Sequence, residues 1–407
     1  MNVLRAFKTE LDLNNVQRTA CARHAGAARY AYNFGLARKQ QAYLDGQKTP
    51  TAIDLHRELN RLKKTELAWM YEVSKCAPQE ALRNLDQAFA NFFRRVKERR
   101  AGKRIKVGFP KFKSKKKGLG SFRLTGAIRV FEKEIQLPRL GRLRLKERGY
   151  LPTSGVHILS ATVSEHAGRW FVSVQVEMEI ADPEQSGKPN AGVDLGINRL
   201  AQVSDGTPFE NPRALQQSLT KIKRLHRMVS RREKGGANRK QAVQQLAKAY
   251  ARTANIRKDA LHQATSWLAR TKSAIMLEDL NVSGMMRNHH LARSIGDVGM
   301  YEFRRQLAYK GTWYGCEVRL ADRFYPSTKR CSRCGKVKDE MSLDERTYEC
   351  EVCGLVMDRD LNAALNLEQL ITARSAGSYA CGEEKFMPAL ERGQVLFDEA
   401  GTERQTI

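Results

Sequence analysis

Two periodicities divide this chain. Along residues 3–13 apolar and polar positions alternate roughly, with Val3, Arg5, Phe7 and Glu10 marking a first strand. From there to about residue 100 the spacing turns helical. Leu82, Leu85, Phe89, Phe92, Phe93 and Val96 fall on one helix face, with Arg83, Arg94, Arg95 and Lys97 off it. Residues 102–120, rich in glycine, proline and lysine around Gly108-Phe109-Pro110-Lys111-Phe112-Lys113, cannot be a continuous helix. Period two returns from about Phe122 to Ile180, most clearly at Trp170, Val172, Val174, Val176 and Met178. The pattern predicts an antiparallel sheet or small barrel, completed by the N-terminal strand, with the helical block inserted between.

Asp182-Pro183-Glu184-Gln185-Ser186-Gly187-Lys188-Pro189 reads as a linker. A strand pair over 191–203 follows, then a helical hairpin broken at Gly235-Gly236. One arm carries Leu215, Leu219, Ile222, Leu225 and Val229; the other carries Val243, Leu246 and Tyr250. Residues 273–280 predict a short buried strand, 299–314 a helix, 316–320 an alternating strand, and 361 to about 370 a last helix. The Gly-, Glu- and Ser-rich tail beyond is expected to be disordered.

Composition adds a partner to this layout. A length of 407 residues suits roughly two to three domains, and 41% hydrophobic residues are enough for real cores. No run approaches the ~20 apolar residues of a membrane span, and the N-terminus lacks a signal-peptide core. A soluble, cytoplasmic protein acting where it is made is therefore expected, with no membrane partner. Lys and Arg number 72 against 44 Asp and Glu, a formal charge of +28 that calls for a polyanion, by default nucleic acid. Between Arg94 and Arg148 there are 21 basic residues and four acids; between Lys221 and Lys258 there are 13 and one. A single such run fits a solvated helix face equally well, but two in separate domains fit surfaces that neutralise phosphates. Phe109, Phe112 and Phe122 either stack on unpaired bases or belong to the core.

Four of the eight cysteines fall within 23 positions, as Cys331-x2-Cys334-x15-Cys350-x2-Cys353. Two such knuckles complete a tetrahedral Zn²⁺ shell with no open position, so one structural zinc is expected. The remaining cysteines read as isolated thiols in a reducing compartment. Arg330, Arg333, Lys336 and Lys338 surround the first knuckle and are candidates to touch nucleic acid. Any catalytic metal site is expected to be separate, so that removing zinc melts the ribbon alone.

Three acids stand in distinct contexts: Asp194 in Gly192-Val193-Asp194-Leu195-Gly196, Glu278 at the end of an apolar strand, and Asp360 opening a helix walled by Ala363 and Ala364. The glycine leaves room beside the first carboxylate, and the alanines let the helix lie close to a sheet. Singly, each acid also fits a helix cap or a strand-end ion pair. Converging, they would hold two Mg²⁺ ions about 4 Å apart, suited to phosphodiester hydrolysis.

The segments Gly-Val-Asp-Leu-Gly-Ile at 192–197, Leu-Glu-Asp-Leu-Asn at 277–281 and Asp-Arg-Asp-Leu-Asn-Ala-Ala-Leu-Asn at 358–366 resemble the three RuvC nuclease motifs. With the ribbon just before the third, the chain over about residues 1–370 resembles the TnpB family, transposon-encoded RNA-guided DNA nucleases related to type V CRISPR effectors. Tyr30-Ala31-Tyr32-Asn33, Asn91-Phe92-Phe93, Tyr309-Lys310, Trp313-Tyr314-Gly315 and Tyr325-Pro326-Ser327-Thr328-Lys329 add to the likeness.

The resemblance implies a multidomain α/β fold. Residues 1–9 and 121–181 would form a wedge-like β-barrel carrying a helical recognition lobe (10–120), followed by a linker (182–189). An RNase H-like RuvC domain (190–324 and 358–370) would hold an inserted zinc ribbon (325–357), with a tail over 371–407. It also implies an Mg²⁺-dependent DNA endonuclease with Asp194, Glu278 and Asp360 as metal-binding catalytic carboxylates, and Asp279 and Asp358 as non-ligands. Its partners would be a guide RNA from the transposon end and double-stranded target DNA. Lys75 and Gln79 are candidates to read a short flanking DNA motif, although Lys75 also fits an ordinary exposed helix start. The rivals are a DNA transposase using the same carboxylates without RNA, and a binding protein such as an RNA-guided repressor.

Overall fold

The N-terminal strand lies at the centre of a sheet. The computed structural model describes residues 1–183, 187–342 and 344–375, in two units, Met1–Ile180 and Ala181 onward. In the first, β1 (Asn2–Asp12) is followed by α1 (Asn15–Leu44), α2 (Ala52–Leu62) and α3 (Cys76–Arg100). Then come β2 (Ser121–Leu124), β3 (Arg129–Val130), β4 (Glu134–Leu137), β5 (Gly141–Leu145), β6 (His157–His166) and β7 (Arg169–Glu179). The order is β2-β6-β7-β1-β5-β4-β3, all antiparallel, so β2 and β3 end the sheet without pairing to close it. β1 runs along β7 from Asn2↔Glu179 to Leu11↔Trp170, which joins the two ends of the unit. The alternation of β7 buries Trp170, Val172, Val174 and Val176.

A capping box starts α1: Asn14 Oδ1 accepts from the Gln17 amide, and Gln17 Oε1 accepts from the Asn14 amide. The apolar stripe of α3 is used only in part. Leu82 and Leu85 are fully buried against α1 and α2, whereas Phe93 is 61% exposed. Phe89 and Phe92 are covered edge-on by Phe109 of the glycine- and lysine-rich loop, at ring distances of 5.4 and 5.3 Å. Phe122 is core; Phe112 stays exposed. Lys75 is the exposed residue that precedes α3, and Gln79 is half-buried in its first turn.

The second unit contains β8 (Ala191–Asp194), β9 (Arg199–Val203), β10 (Pro208–Glu210), the long α4 (Ala214–Arg231) and α5 (Ala237–Thr271), then β11 (Ala274–Leu277). It continues through α6 (Val282–Met285), α7 (Ala292–Val298), α8 (Met300–Tyr314), β12 (Glu317–Leu320), the hairpin β13 (Thr347–Glu349) and β14 (Val356–Asp358), and α9 (Arg359–Ser375). The sheet order is β10-β9-β8-β11-β12, antiparallel through β8 and parallel from β8 to β12. As the central parallel strand, β11 is buried on both faces, which its Ala-Ile-Met-Leu sequence permits. Ile275 and Leu277 join a core with Leu261, Leu268, Phe303 and Leu307 of α5 and α8; Ala274 and Met276 join another with Leu367 and Ile371 of α9.

Two boundaries differ from the sequence pattern. In the hairpin's second arm Ala242 is buried and Val243 is 47% exposed, because α5 turns its small side chains toward its neighbours. The last helix runs past residue 370 to Ser375. Linker residues 184–186 and tail residues 376–407 lie outside the described residues. Among the described residues, no helix is long and apolar enough to cross a membrane.

Candidate active site and thiol cluster

The three acids come from three elements of the second unit. Asp194 is the last residue of β8, Glu278 directly follows the parallel β11, and Asp360 is the second residue of α9. β8 and β11 pair in register, Met276 with Gly192 and Leu277 with Val193, so their carboxyl ends lie side by side. Gly192 lets α9 reach them. A Cβ at this position would lie 1.9 Å from the Ala364 carbonyl oxygen and 2.5 Å from the Glu368 nitrogen, so only glycine permits the crossing. Ala363 and Ala364 complete the close contact as fully buried small residues.

Burial, and then the charges of Glu278 and Asp360, push the Asp194 carboxyl well above the usual carboxylate range. Burial also raises Glu278, against a hydrogen bond from the Ser327 hydroxyl that favours its ionised form. Arg359, with Nε 3.5 Å from Asp360 Oδ1, offsets part of the repulsion. Half-buried carboxylates on adjoining elements, with Asp194 disfavoured as an anion by the charges of the other two, suit a hard divalent cation such as Mg²⁺.

The two neighbouring acids are otherwise engaged. Asp358 Oδ1 accepts the amides of Asp360 and Leu361, both at 3.0 Å, and so caps α9, while Oδ2 pairs with Arg199 at 3.3 Å. Burial raises Asp279, but ion pairs with Arg323 at 2.6 Å and Arg304 at 3.2 Å hold it below the usual range.

Cys331, Cys334, Cys350 and Cys353 bring all their sulfurs within 4.8 Å of one another. The pairs Cys331–Cys353 and Cys334–Cys350 stand 3.6 and 3.5 Å apart. Tetrahedral Zn²⁺ with Zn–S of about 2.3 Å requires sulfurs about 3.8 Å apart, so the thiols fit the ion. The knuckles repeat one turn. Gly335 and Gly354, at φ 78° and 67°, donate to the carbonyls of Cys331 and Cys350, both at 2.9 Å; Cys331 and Cys350 donate to Lys336 and Leu355, both at 2.8 Å. Backbone amides, that of Cys353 foremost, hold the Cys350 thiol down at about 6, which favours the ligating thiolate. Beneath them Tyr348 is fully buried.

The two clusters have distinct side chains but are joined by hydrogen bonds. The chain entering the ribbon carries Ser327, whose Oγ donates to Glu278 Oε1. Asn366 of α9 donates to the carbonyls of Ser327 and Arg330 at 2.8 and 2.6 Å, and Asn362 to that of Arg330 at 2.7 Å. Asn362 Oδ1 accepts from the Ser332 amide at 3.0 Å. Sequence reasoning missed these roles for Ser327, Asn362 and Asn366. A signal existed: two asparagines four apart inside an Ala- and Leu-rich helix disfavour the helix unless they serve a packed neighbour.

Three family models match the chain: a "Probable transposase" of the OrfB type over 161–289, a Cas12f1-like TNB domain over 301–367 and a helix-turn-helix domain over 1–48. That last stretch holds β1 and the single unbroken helix α1. A Streptomyces pristinaespiralis protein named "Putative RNA-guided DNA endonuclease" is 36% identical over 385 residues, 94% of this chain and 92% of its own. InsQ of Escherichia coli, which bears the same designation, is 33% identical over 401 residues, 94% of this chain and 95% of its own. A solved structure of the mini-RNA-guided endonuclease Cas_phi3 aligns with 91% of this chain and 92% of its own at 10% identity, TM-score 0.45. Identity above 30% that runs nearly end to end in both chains, with family models spanning all three acids and the ribbon, is a family relationship: the chain belongs to the TnpB (OrfB) family.

Proposed function

We propose that this chain is an RNA-guided DNA endonuclease that hydrolyses phosphodiesters with Asp194, Glu278 and Asp360 as its metal-binding carboxylates. The observation that carries this reading is the gathering of those acids at adjoining strand ends and a helix start, against their own repulsion. The activity named for its full-length relatives supports it. Two bound Mg²⁺ ions would supply activation of the attacking water and stabilisation of the leaving oxygen. The protein's part is to fix the carboxylates: β8 and β11 set Asp194 and Glu278, and the Asp358 cap sets the first turn of α9. The paired Asp279 does not compete for the metal.

On this reading residues 190–324 and 358–370 are an RNase H-like RuvC domain, and 325–357 are an inserted ribbon holding one Zn²⁺. The open seven-stranded sheet takes the place expected of the wedge-like barrel and α1–α3 that of the recognition lobe, where Lys75 and Gln79 read a flanking motif. A guide RNA from the transposon end reads the target by pairing, while the basic runs hold backbones. The cell compartment is the cytosol, at the nucleoid. A transposase would use similar acids but join ends without RNA, so RNA dependence separates the two.

The test is to express the gene with its native downstream flank, sequence the RNA that co-purifies, and assay cleavage of a matching duplex. One discrete RNA that programmes Mg²⁺-dependent cutting is expected, with Glu278→Gln inactive yet still binding target. A heterogeneous RNA smear, or full cutting by Glu278→Gln, would sink the reading.

A further inference from the structure

We propose that Ser327 is a positioning residue for Glu278, held in place by a strap (residues 325–332) that α9 ties down, so that one helix sets both Asp360 and the glutamate opposite it. The proposal rests on the nuclease reading above.

Ser327 is unusual for its place. It lies between β12 and the first cysteine knuckle, where connecting residues are normally exposed, yet it is 2% accessible. Its three polar groups are all engaged: Oγ donates to Glu278 Oε1, the carbonyl accepts from Asn366 at 2.8 Å, and the amide donates to Tyr325 at 2.9 Å. The strap is then fastened every few residues. Tyr325 Oη donates to the Asn366 carbonyl at 3.2 Å, Tyr348 Oη to the Lys329 carbonyl at 3.2 Å, and Arg330 accepts from both asparagines. Asn362 and Asn366 are fully buried on one face of α9.

Such a network has a function beyond holding a loop. Glu278 follows its strand and has a long side chain with several rotamers; a single donor on one carboxylate oxygen removes most of that freedom and leaves the other oxygen for a cation. Because the donor is fixed to α9, any shift of α9 moves Asp360 and the Glu278 carboxylate together. Hydrogen-bond partners of metal ligands act in this way, and their loss typically weakens metal binding about 10–100-fold.

The test uses the full-length protein with its RNA and compares wild type, Ser327→Ala, Ser327→Thr and Glu278→Gln. The readouts are Mn²⁺ binding by electron paramagnetic resonance, Mg²⁺ dependence of cleavage, zinc content and melting temperature. Ser327→Ala is expected to bind Mn²⁺ about 10-fold or more weakly and to need correspondingly more Mg²⁺. Its zinc content and melting temperature should match wild type, and Ser327→Thr, which keeps the hydroxyl, should retain wild-type affinity. Unchanged Mn²⁺ affinity in Ser327→Ala, equal losses in both serine variants, or a loss that merely follows a lowered melting temperature would overturn the proposal. If Glu278→Gln cleaves normally, the nuclease reading fails; if it is inactive while Ser327→Ala is unaffected, only the positioning role fails.

Discussion

The thiol cluster and the acid cluster reach similar crowding by opposite routes. The thiols come from 23 consecutive positions, gathered by two matching turns whose glycines and amides are local. Those amides favour the thiolate form of Cys350, whereas burial and the neighbouring thiols push Cys353 up to about 12. The acids come from positions 194, 278 and 360, and nothing local brings them together. A parallel strand pair, a glycine without which α9 could not cross β8, and a strap from the ribbon do that work, against rising electrostatic repulsion. A self-contained centre is robust and simple; a composite one is sensitive to every element that frames it.

The largest break in this comparison is expected at Gly192. Its added Cβ would meet the Ala364 backbone, not a side chain that can swing away, so α9 must move. Overpacking of this kind costs about 1–3 kcal/mol or more, and a displacement near 1 Å at a reacting site costs about 100-fold in rate. Gly192→Ala is therefore expected to cut at least about 100-fold more slowly while retaining one zinc per chain, measured by cleavage kinetics and metal analysis. Equal loss of zinc would mean that the ribbon depends on α9 as fully as the acids do.

The reverse break is smaller. Cys350→Ser removes one thiolate of four, so the ribbon should lose zinc and melt locally. The strap then keeps its α9 anchors but loses its far end, and Mg²⁺ affinity is expected to fall about 10-fold, the lower end of the range for losing a ligand's hydrogen-bond partner. A Mg²⁺ titration of cleavage measures it. No change in the midpoint would restore the two centres to independence.

The same contrast explains what was legible. The four cysteines were readable from spacing as one cluster able to hold a zinc ion, because their chemistry is written in one short segment. The acids were readable as three strand-end or helix-start carboxylates, and Ala363 and Ala364 foretold a helix lying close to a sheet, whereas Gly192 was read only as room beside the carboxylate and not as the crossing point. Their common destination came from the family resemblance, since no spacing rule links 194 to 360. The buried strand 274–277 was clear from its composition, whereas its parallel pairing with β8 and β12 was not, because periodicity carries no partner information. Ser327 was invisible for a physical reason: a serine in a loop looks like any solvated serine until the fold closes over it. The α3 stripe misled in the other direction, since a loop phenylalanine rather than a helix covers its outer half.

The smallest effect is the one most specific to a composite charged site. Burial and the neighbouring acids raise the Asp194 carboxyl, so between the ordinary carboxylate value and its raised one the folded chain binds more proton there than the unfolded chain does. Stability linked to this group is therefore full below the ordinary carboxylate value and is lost as pH rises toward the raised one. Asp194→Asn lacks that loss. Freed of divalent cations other than zinc, the variant is expected to melt higher than wild type near neutral pH, by about 2–4 °C for each kcal/mol of repulsion relieved, and equally at acid pH. Added Mg²⁺ should reverse the order, because a ligand that binds only the folded carboxylates raises wild type and leaves the variant nearly unmoved. Scanning calorimetry across pH, with and without Mg²⁺, measures both signs. A variant that melts below wild type without Mg²⁺ would mean that Asp194 is held by compensating contacts, and that the acid cluster is no more strained than the thiols.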